Sequence, residues 1–392
     1  MAVIGIICEY NPFHRGHAAM LQRARQPGDT VVCAMSGNFV QRGESALCGK
    51  LARGEMALRG GADLVLELPT PWAMAGAETF ARGGVALLAM AGCDTLAFGS
   101  ESGDGAAIIQ AAEALLDPDF PERLQAHLKT GVTFAAARQR AAAAYSAPAA
   151  AILGQPNDIL AVEYAKAVRQ AGVGMALCPI RRMGVTHHGT AGGGLASASH
   201  VRALLGQGRW EEAAAYLPES SAAILRREQA AGRIADAARL EGAILSRLRQ
   251  LTPEELSRYD GGGEGLYRRF YAALHSAATL PEVLEAAKTK RYPLSRLRRM
   301  AWLAWLGAES PAGAVPYLRV LAANGRGRAL LRQLQEAGRP VLTKPADVDR
   351  LGAEARALFA AEARYTDQFL LAMERPQPPG EDWRYTPFIQ GE

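Results

Sequence analysis

The chain opens with the stretch that decides its fold, Ala2-Val3-Ile4-Gly5-Ile6-Ile7-Cys8-Glu9-Tyr10-Asn11-Pro12-Phe13-His14-Arg15-Gly16-His17. The apolar run from Ala2 to Cys8 has the length and composition of a buried strand rather than a helix. Proline at position 12 breaks the run, because it has no N–H donor and restricts the residue before it. A helical pattern then begins at His14-x-Gly16-His17. Strand, turn and two histidines at a helix start predict a phosphate site, since the helix amides and dipole favour an anion there.

Length and composition predict a two-domain globular protein. The chain has 392 residues, of which 49% are hydrophobic and 21% charged. Its net charge of +5 permits a polyanionic partner without requiring one. It has no apolar run of membrane-spanning length and no basic leader, so we expect no membrane partner and a cytoplasmic location. Its five cysteines form no CxxC pair, which favours free thiols over a disulfide or zinc framework.

Four further apolar runs predict more strands, and the helix-like segments between them predict an open parallel sheet of α/β class. The second strand leads into a polar segment, residues 36–44. Composition alone leaves this segment open between a surface connection and a ligand-binding loop at a strand end. Gly99 directly follows the fourth strand and would let a ligand approach the backbone closely. The four runs are Thr30–Met35, Asp63–Leu68, Asp94–Phe98 and Gly174–Ile180.

Polar residues follow later in the first half. Asn157 stands at the start of a predicted helix, where capping would be its ordinary role. Arg182 follows the fifth strand, from which an arginine can reach a triphosphate bound at the first turn. His187 and His188 lie in a glycine-rich segment without a carboxylate or thiol at ligand spacing. We therefore expect no metal site.

The strand pattern stops at about residue 205, and helical periods with interspersed basic residues follow. We expect residues 1–204 to form the sheet domain and residues 205–375 an all-α, basic domain. Residues 376–392 are rich in proline and glycine and predict an extended tail. Just before the first boundary, serines at the start of another helix are candidates for its N-cap, in the string Ser197-Ala198-Ser199-His200-Val201-Arg202.

The helical half contains a run of six cations without an acidic residue among them. Composition leaves open whether the run is a solvated face or a footprint for a phosphate backbone, with Tyr292 available for base stacking. Arg319, Arg326 and Arg328 would extend such a basic surface. The six cations are Lys288, Lys290, Arg291, Arg296, Arg298 and Arg299.

These motifs together resemble the nucleotidylyl transferase superfamily, relatives of the class I aminoacyl-tRNA synthetases, and within it the tRNA(Met) cytidine acetate ligases. The resemblance covers nearly the whole chain. It implies a Rossmann-like nucleotidylyl transferase domain followed by the helical, basic domain. The strings that carry it are Glu9–His17, Ser36–Glu44, Ser197–Arg202, Thr289–Met300 and Pro316–Leu321.

The resemblance also implies a reaction and its participants. Acetate and ATP would give acetyladenylate and pyrophosphate, and the acetyl group would pass to N4 of the wobble cytidine of elongator tRNA(Met). Mg²⁺ is expected only as the companion of ATP, and no residue is assigned to it or to acetate. The six cations of the helical half would bind tRNA.

Roles for single residues follow from the same resemblance. The catalytic residues would be His14, His17, Ser199 and Arg202, with Arg202 standing where the synthetases have a lysine. The ATP-binding residues would be Ile7, Cys8, Glu9, Tyr10, Asn11, Pro12, Phe13, His14, Arg15, Gly16, His17, Ala18, Ala19, Met20, Gly99, Asn157 and Arg182.

Two other functions stay open from the sequence. A small-metabolite nucleotidylyl transferase would share the first domain but would not need the basic helical half. An RNA-binding protein with a degenerate nucleotide site would not need the intact serine-rich turn, which argues against it.

Overall fold

A computed structural model describes residues 1–182, 195–261 and 265–391. The apolar runs of the first half form strands, as their composition predicts. The strands are β1 (Val3–Cys8), β2 (Thr30–Ser36), β3 (Phe39–Val40), β4 (Glu44–Ser45), β5 (Leu64–Leu68), β6 (Thr95–Ser100), β7 (Ala176–Arg181), β8 (Leu318–Ala323), β9 (Val341–Leu342) and β10 (Phe388–Ile389).

Within the described residues, eight strands form one sheet in the order β10-β8-β5-β2-β1-β6-β7, with β9 paired to β8. All pairings in this sheet are parallel except that of β5 with β8. The chain runs outward from β1 through β2 to β5 and then returns to place β6 and β7 on the other side of β1. The strand order therefore reverses between β1 and β6, and a ligand crevice is expected there at the carboxyl ends of the strands.

Helices cover both faces of the sheet and make up the middle of the chain. Two short 3₁₀ helices, Ala237–Leu240 and Pro345–Arg350, accompany them. The α-helices are α1 (Arg15–Ala24), α2 (Lys50–Arg59), α3 (Thr70–Ala73), α4 (Ala77–Met90), α5 (Gly105–Leu116), α6 (Phe120–Leu128), α7 (Phe134–Ala143), α8 (Ala147–Ile152), α9 (Pro156–Ala171), α10 (Ala198–Gly206), α11 (Trp210–Ala214), α12 (Glu219–Ala230), α13 (Glu241–Leu248), α14 (Pro253–Ser257), α15 (Leu266–Leu274), α16 (Leu280–Ala287), α17 (Leu294–Leu306), α18 (Gly325–Glu336), α19 (Ala353–Leu370) and α20 (Glu381–Arg384).

Four apolar cores hold these elements together, and the smallest packs β9 against the 3₁₀ helix Pro345–Arg350 and α19. Side chains alternate between the two faces of the sheet, so that Val32 packs on one side with α4, α5 and α9, and Cys33 packs on the other with α1, α2 and α10. A third core lies among α13–α17 and α19. Phe39 from the first half reaches into this third core, with its ring centroid 5.7 Å from that of Trp302. The α/β class with a helical second half is thus confirmed.

The C-terminal part differs from the sequence expectation in two respects. The string at Pro316–Leu321 is not part of a basic surface but contributes β8, which lies antiparallel beside β5. Arg319 is fully buried. Its Nη1 donates to Asp382 Oδ2 at 2.9 Å and lies 2.9 Å from Glu67 Oε2 without hydrogen-bond alignment. A buried charge needs such partners, because an isolated one is very costly to desolvate.

Residues 376–392 were expected to form an extended tail, but the described part of this segment packs against the sheet. It contains α20, and β10 pairs with β8. Asp382 of α20 accepts a hydrogen bond from Lys50 Nζ at 2.8 Å, and both side chains are fully buried. Composition predicted an extended tail, whereas buried ion pairs with distant partners hold the segment against the sheet.

Three other observations bear on the sequence expectations. The five cysteines are free thiols, of which Cys33, Cys48 and Cys93 are buried. Among the described residues, no helix is long and apolar enough to cross a membrane. The histidine pair at positions 187 and 188 lies outside the described residues.

Candidate active site

Two consecutive structural elements, the end of β1 and the start of α1, form the centre of the site. The chain leaves β1 through Tyr10, whose φ of 46° is the only positive value of a non-glycine residue in the described part of the chain. That conformation is uncommon for a bulky residue and turns the backbone sharply after the strand. His14 then caps α1, with its Nδ1 accepting the Gly16 N–H at 3.0 Å.

His17 completes the cap in the reciprocal direction, since its Nδ1 accepts the His14 N–H at 3.3 Å. A neutral imidazole that accepts at Nδ1 carries its proton on Nε2. Both rings therefore keep an Nε2–H donor available for a ligand. The rings stack with centroids 3.6 Å apart, so the two donors act side by side.

The electrostatic environment keeps both imidazoles uncharged near neutral pH. Burial, with Arg182 nearby, lowers the pKa of His14 to about 4. Burial, His14 and Arg182 lower the pKa of His17 well below its ordinary value. The histidines thus supply hydrogen bonds, and the fixed positive charge beside them comes from arginine.

Arg182 follows β7 and is oriented from α9. Its Nη1 donates to Asn157 Oδ1 at 3.3 Å. Asn157 is held in turn by Glu101, whose Oε1 accepts from the Asn157 backbone N–H at 3.2 Å and from its side-chain amide. The N-cap of α9 is Gln155 rather than Asn157. Asn157 therefore does not have the capping role that the sequence left open for it.

The site cavity has two lobes that share His17, Met20, Gly99 and Arg182. We call one the His14 lobe, which has a volume of about 200 Å³. It is bounded by the α1 start, the end of β7 and the α10 start. Its other lining residues are His14, Gly16, Ala19, Arg23, Ile180, Arg181, Leu195, Ala196 and Ser197.

The second lobe, which we call the Glu9 lobe, has a volume of about 250 Å³. It lies over the ends of β1 and β6 and is walled by aromatic and aliphatic side chains. Its lining residues beyond the shared four are Ile6, Ile7, Cys8, Glu9, Tyr10, Asn11, Gln41, Arg42, Phe80, Phe98, Asn157, Leu160, Tyr164 and Ala198.

The two lobes differ in the chemistry that they offer. The His14 lobe combines the α1 N-terminus with three arginines, Arg23, Arg181 and Arg182, and the hydroxyl of Ser197. Amides, guanidinium groups and a hydroxyl are the donors that phosphate oxygens accept from. This set therefore fits a triphosphate. The Glu9 lobe instead combines a carboxylate and aromatic rings with two arginines, Arg42 and Arg182.

The serine-rich turn meets the site at a different serine from the one predicted. Ser197 is the N-cap of α10, accepts the His200 N–H at 3.2 Å and lines the His14 lobe. Ser199 is exposed, and its hydroxyl lies 3.0 Å from that of Ser197. The sequence pattern of a helix start fitted Ser197 and Ser199 equally well. The structure distinguishes them, because Ser197 is the N-cap of α10 and Ser199 lies within its first turn.

Arg202 holds α10 against the β1 turn. Its Nη1 donates to the Asn11 carbonyl at 2.9 Å, and its Nη2 pairs with Glu44 Oε1 at 2.7 Å. Arg202 lines neither lobe. The guanidinium therefore links α10, the β1 turn and β4 in this structure.

Most of the residues expected to bind ATP line one lobe or the other, and four do not. Phe13 is fully buried in a core, and Arg15 Nε donates to the Leu217 carbonyl at 3.2 Å. Pro12 and Ala18 line neither lobe. Sequence reasoning missed the aromatic wall, because rings in apolar runs look the same in a core and at a cavity. Its members are Phe80, Phe98 and Tyr164.

The six predicted tRNA-binding cations differ in their surroundings. Lys288, Lys290 and Arg291 are exposed, and Lys288 pairs with Glu285 at 3.1 Å. Arg296 pairs with Asp260 Oδ1 at 3.1 Å. The other two cations are Arg298 and Arg299, which are partly buried.

The segment with these cations borders the Glu9 lobe. Arg299 Nη1 donates to the Gln41 carbonyl at 3.2 Å, and burial with Arg296 nearby lowers the pKa of Arg299 to about 10. Gly43 packs on the backbone of α17, where an added Cβ would lie 2.7 Å from the Arg298 carbonyl carbon. Because Gln41 also lines the Glu9 lobe, the loop that contains Gln41 connects this lobe with α17.

Metal binding finds no ready site in the described residues. Among residues 1–182, 195–261 and 265–391, no group of three or more histidine, cysteine, aspartate or glutamate side chains could hold a metal ion.

Comparison with known proteins gives a consistent result. Residues 1–381 match the model of a family described as HIGH Nucleotidyl Transferase. The tRNA(Met) cytidine acetate ligase of Fervidobacterium nodosum is 35% identical over 89% of this chain and 85% of its own length. The protein of the same name from Thermoanaerobacter sp. is 33% identical, with 98% of each chain covered.

Solved structures agree with these sequence matches. The apo structure of Thermotoga maritima TmcAL superposes with a TM-score of 0.93 at 30% identity over 99% of both chains. A second structure of that protein, bound with alpha-thio ATP, superposes with a TM-score of 0.90 over the same share of both chains.

Proposed function

This chain belongs to the HIGH nucleotidyl transferase family and, within it, to the tRNA(Met) cytidine acetate ligases; from this we propose that it activates acetate with ATP and acetylates N4 of the wobble cytidine of elongator tRNA(Met). The observation that carries the proposal is the pair of lobes that meet at His17, Gly99 and Arg182. One lobe has the donors for a triphosphate, and the other is open to a second reactant. A tRNA substrate also supports a cytoplasmic location.

In the first step, acetate would attack the α-phosphorus of ATP and release pyrophosphate. Such chemistry depends on positioning and charge neutralisation rather than on a covalent protein intermediate. We assign the Nε2–H groups of His14 and His17 to the phosphate oxygens that gain charge. Arg182 and Ser197 would hold the remaining phosphates. Mg²⁺ would arrive as the ATP complex, and we assign no residue of this chain to it.

Arg202 has a role in this scheme that differs from direct phosphate contact. In the structure it bonds to the Asn11 carbonyl and to Glu44. We propose that it positions the serine-rich turn against the β1 turn. Ser199 keeps its expected role near the phosphates as a proposal, beside Ser197.

The second step would use the basic segment to bring tRNA to the site. The six cations surround the start of α17, whose backbone packs on the loop at Gly43. Phosphate contacts position a nucleic acid without reading its bases. We propose that this segment binds the tRNA backbone and so delivers the anticodon to the cavity.

The first experiment is ATP–pyrophosphate exchange without tRNA, in the presence of acetate, formate or propionate. We expect acetate-dependent exchange, lost in His17→Ala by a factor of about 100 or more, as for other preorganised donors of charge stabilisation. Exchange independent of any carboxylate would favour a small-metabolite nucleotidylyl transferase. Absence of exchange both without and with tRNA would overturn the proposal.

A second experiment separates tRNA binding from activation. The double variant Lys290→Ala, Arg298→Ala should bind tRNA more weakly. The plot of the logarithm of its binding constant against the logarithm of the salt concentration should also become less steep, by about one unit of slope for each phosphate that the protein no longer neutralises. Exchange without tRNA should persist. Lys129→Ala with Arg140→Ala removes the same charge from exposed positions in the first half and is the matched control. Equal losses in both double variants would show that only net charge matters.

A further inference from the structure

The Glu9 lobe carries chemistry that the activation of acetate does not require. Its floor includes Glu9, whose Oε1 accepts the Gln41 N–H at 2.9 Å. Among the described residues no hydrogen bond is made to the second oxygen, Oε2, which remains available to a ligand. A carboxylate repels phosphate oxygens. Although Arg42 and Arg182 also line this lobe, the fuller set of triphosphate donors lies in the His14 lobe.

The walls of the lobe fit a flat, partly apolar ligand. Phe80, Phe98 and Tyr164 line it together with Leu160. The rings of Phe98 and Tyr164 have centroids 5.7 Å apart and are tilted by 53° relative to each other. Proteins that act on a single base take it out of its stack, place it against aromatic and apolar side chains, and read its Watson–Crick edge.

One residue that lines the lobe also has a buried side-chain amide without a hydrogen-bond partner among the described residues. Asn11 is 2% exposed and lines the lobe. Its Oδ1 accepts the Leu47 N–H at 2.7 Å, while its Nδ2 has no hydrogen-bond partner among the described residues. Such orphaned groups are rare in folded proteins, because leaving one unpaired is costly.

We propose that the Glu9 lobe binds the acetyl-accepting cytosine and that Glu9 is a catalytic residue of the transfer step, accepting a hydrogen bond from the exocyclic N4 amino group. Glutamate is a natural partner for this group, since cytosine N4 is a donor on the edge where uracil has an acceptor. The inference rests on the proposed function and assigns the acceptor site within it.

The chemistry of the step balances with the groups at hand. The N4 nitrogen attacks the carbonyl carbon of acetyladenylate and forms the C–N bond. The bond from that carbon to the phosphate oxygen breaks, and AMP leaves with the electron pair. The N4 proton passes to Glu9 Oε2. Burial raises the pKa of Glu9, which makes its carboxylate a stronger proton acceptor than an exposed one.

The position of the lobe suits a base that arrives on RNA. Gln41 and Arg42 line the lobe, and the Gln41 carbonyl is bonded to Arg299 of α17. A backbone bound along the basic segment would therefore present its base at the rim of the lobe. The His14 lobe meets the Glu9 lobe at Gly99 and Arg182, which puts the activated acetyl group next to the amine.

The test is Glu9→Gln, assayed separately for the two steps. Glutamine keeps the volume and the acceptor for the Gln41 N–H, but its amide cannot take a proton. We expect single-turnover transfer from preformed acetyladenylate to tRNA to fall by a factor of about 100 or more. Acetate-dependent exchange should fall much less. Glu78→Gln, in an exposed carboxylate on α4, is the control and should change neither step.

A second variant tests the wall independently of Glu9. Tyr164→Leu keeps an apolar side chain but removes a ring, and transfer at low tRNA concentration should fall by about tenfold while exchange persists. Equal losses of transfer and exchange in Glu9→Gln would overturn the inference, and so would unchanged transfer. If the unmodified protein neither exchanges nor acetylates, the proposed function fails instead, which keeps the two failures distinct.

Discussion

At the residue scale, the α1 start shows two histidines that complete one helix cap from opposite directions. Each ring uses Nδ1 to complete the helix cap and keeps Nε2–H for a ligand. Burial holds the pKa of His14 at about 4 and that of His17 well below its ordinary value. The same burial has a stability cost in acid, which gives a test of the environment without any substrate.

His14→Asn should reduce the loss of stability between pH 7 and pH 4. Asparagine is a good N-cap, so the helix start is kept. In the unfolded wild-type chain His14 takes up a proton as the pH falls below 6.5. In the folded chain it takes up this proton only at about pH 4, because burial lowers its pKa. This should cost the wild type up to about 3 kcal/mol at pH 4. Urea unfolding at several pH values measures this loss of stability, and His275→Asn at an exposed position is the control. If the unfolding free energies of wild type and His14→Asn changed equally with pH, the lowered pKa of His14 would be contradicted.

Gly99→Ala should impair ATP binding while leaving the fold intact. Gly99 lines both lobes, and an added Cβ would lie 3.5 Å from Arg182 Cγ, an ordinary contact. We therefore expect a change in unfolding free energy below about 1 kcal/mol and a loss of ATP affinity of about tenfold or more, since the methyl group stands where the lobes meet. Calorimetric titration with ATP measures the affinity. Gly242→Ala, where a Cβ meets open space, is the control. Unchanged affinity would show that ATP does not approach this backbone.

At the element scale, β1, β2, β5, β6 and β7 were predictable because each is a short apolar run that ends at a polar residue, a glycine or a proline. β8 was not, since Arg319 interrupts its apolar run and its ion-pair partners lie far away in sequence. The site was predictable only in part: the β1–α1 turn is visible in the sequence. The pairing of Arg202 with Glu44 depends on the packing of α10, and no sequence pattern reports it.

The contact of α17 with the loop after β3 offers a test at this scale. Gly43 has a φ of 72°, and an added Cβ would press on the backbone of Arg298 and Arg299. Gly92, with a φ of 77°, has nothing within 4 Å of such a Cβ. Gly92→Ala should cost about 1–2 kcal/mol for the left-handed conformation, and Gly43→Ala about 1–3 kcal/mol more for the clash. Urea unfolding measures the loss of unfolding free energy in both variants. Equal losses would mean that the loop at Gly43 does not pack against α17.

At the scale of the whole molecule, the two halves of the chain depend on each other. Phe39 enters the helical core from the first half, and β8 and β10 return to the sheet from the second. A basic segment attached to the sheet in this way stays in a constant position relative to the cavity. The proposed sites for activation and for tRNA binding thus lie on different surfaces of one folded unit, and not on two parts that could be separated.

The buried ion cluster that joins these parts gives the last prediction. Asp382 Oδ2 accepts from Lys50 Nζ at 2.8 Å and from Arg319 Nη1 at 2.9 Å, and all three side chains are fully buried. Asp382→Asn leaves two buried cations with Glu67 as their acidic partner, and removing one member of such a group costs about 3–5 kcal/mol. Urea unfolding at pH 7 measures this cost. Asp349→Asn, at an exposed position, is the control and should stay within about 0.5 kcal/mol of the wild type.

The same cluster fixes the sign of a pH effect. Burial works to raise the pKa of Asp382, but Lys50 and Arg319 outweigh it and hold the pKa well below its usual value. The unfolded chain therefore takes up a proton at Asp382 near pH 4, while the folded chain does not, and stability is lost as the pH falls below that point. Asp382→Asn should lack this part of the acid loss, so its unfolding free energy should approach that of the wild type as the pH is lowered. A constant difference from pH 7 to pH 3 would mean that the side chain acts through packing alone, and the C-terminal segment would then be held by β10 rather than by charge.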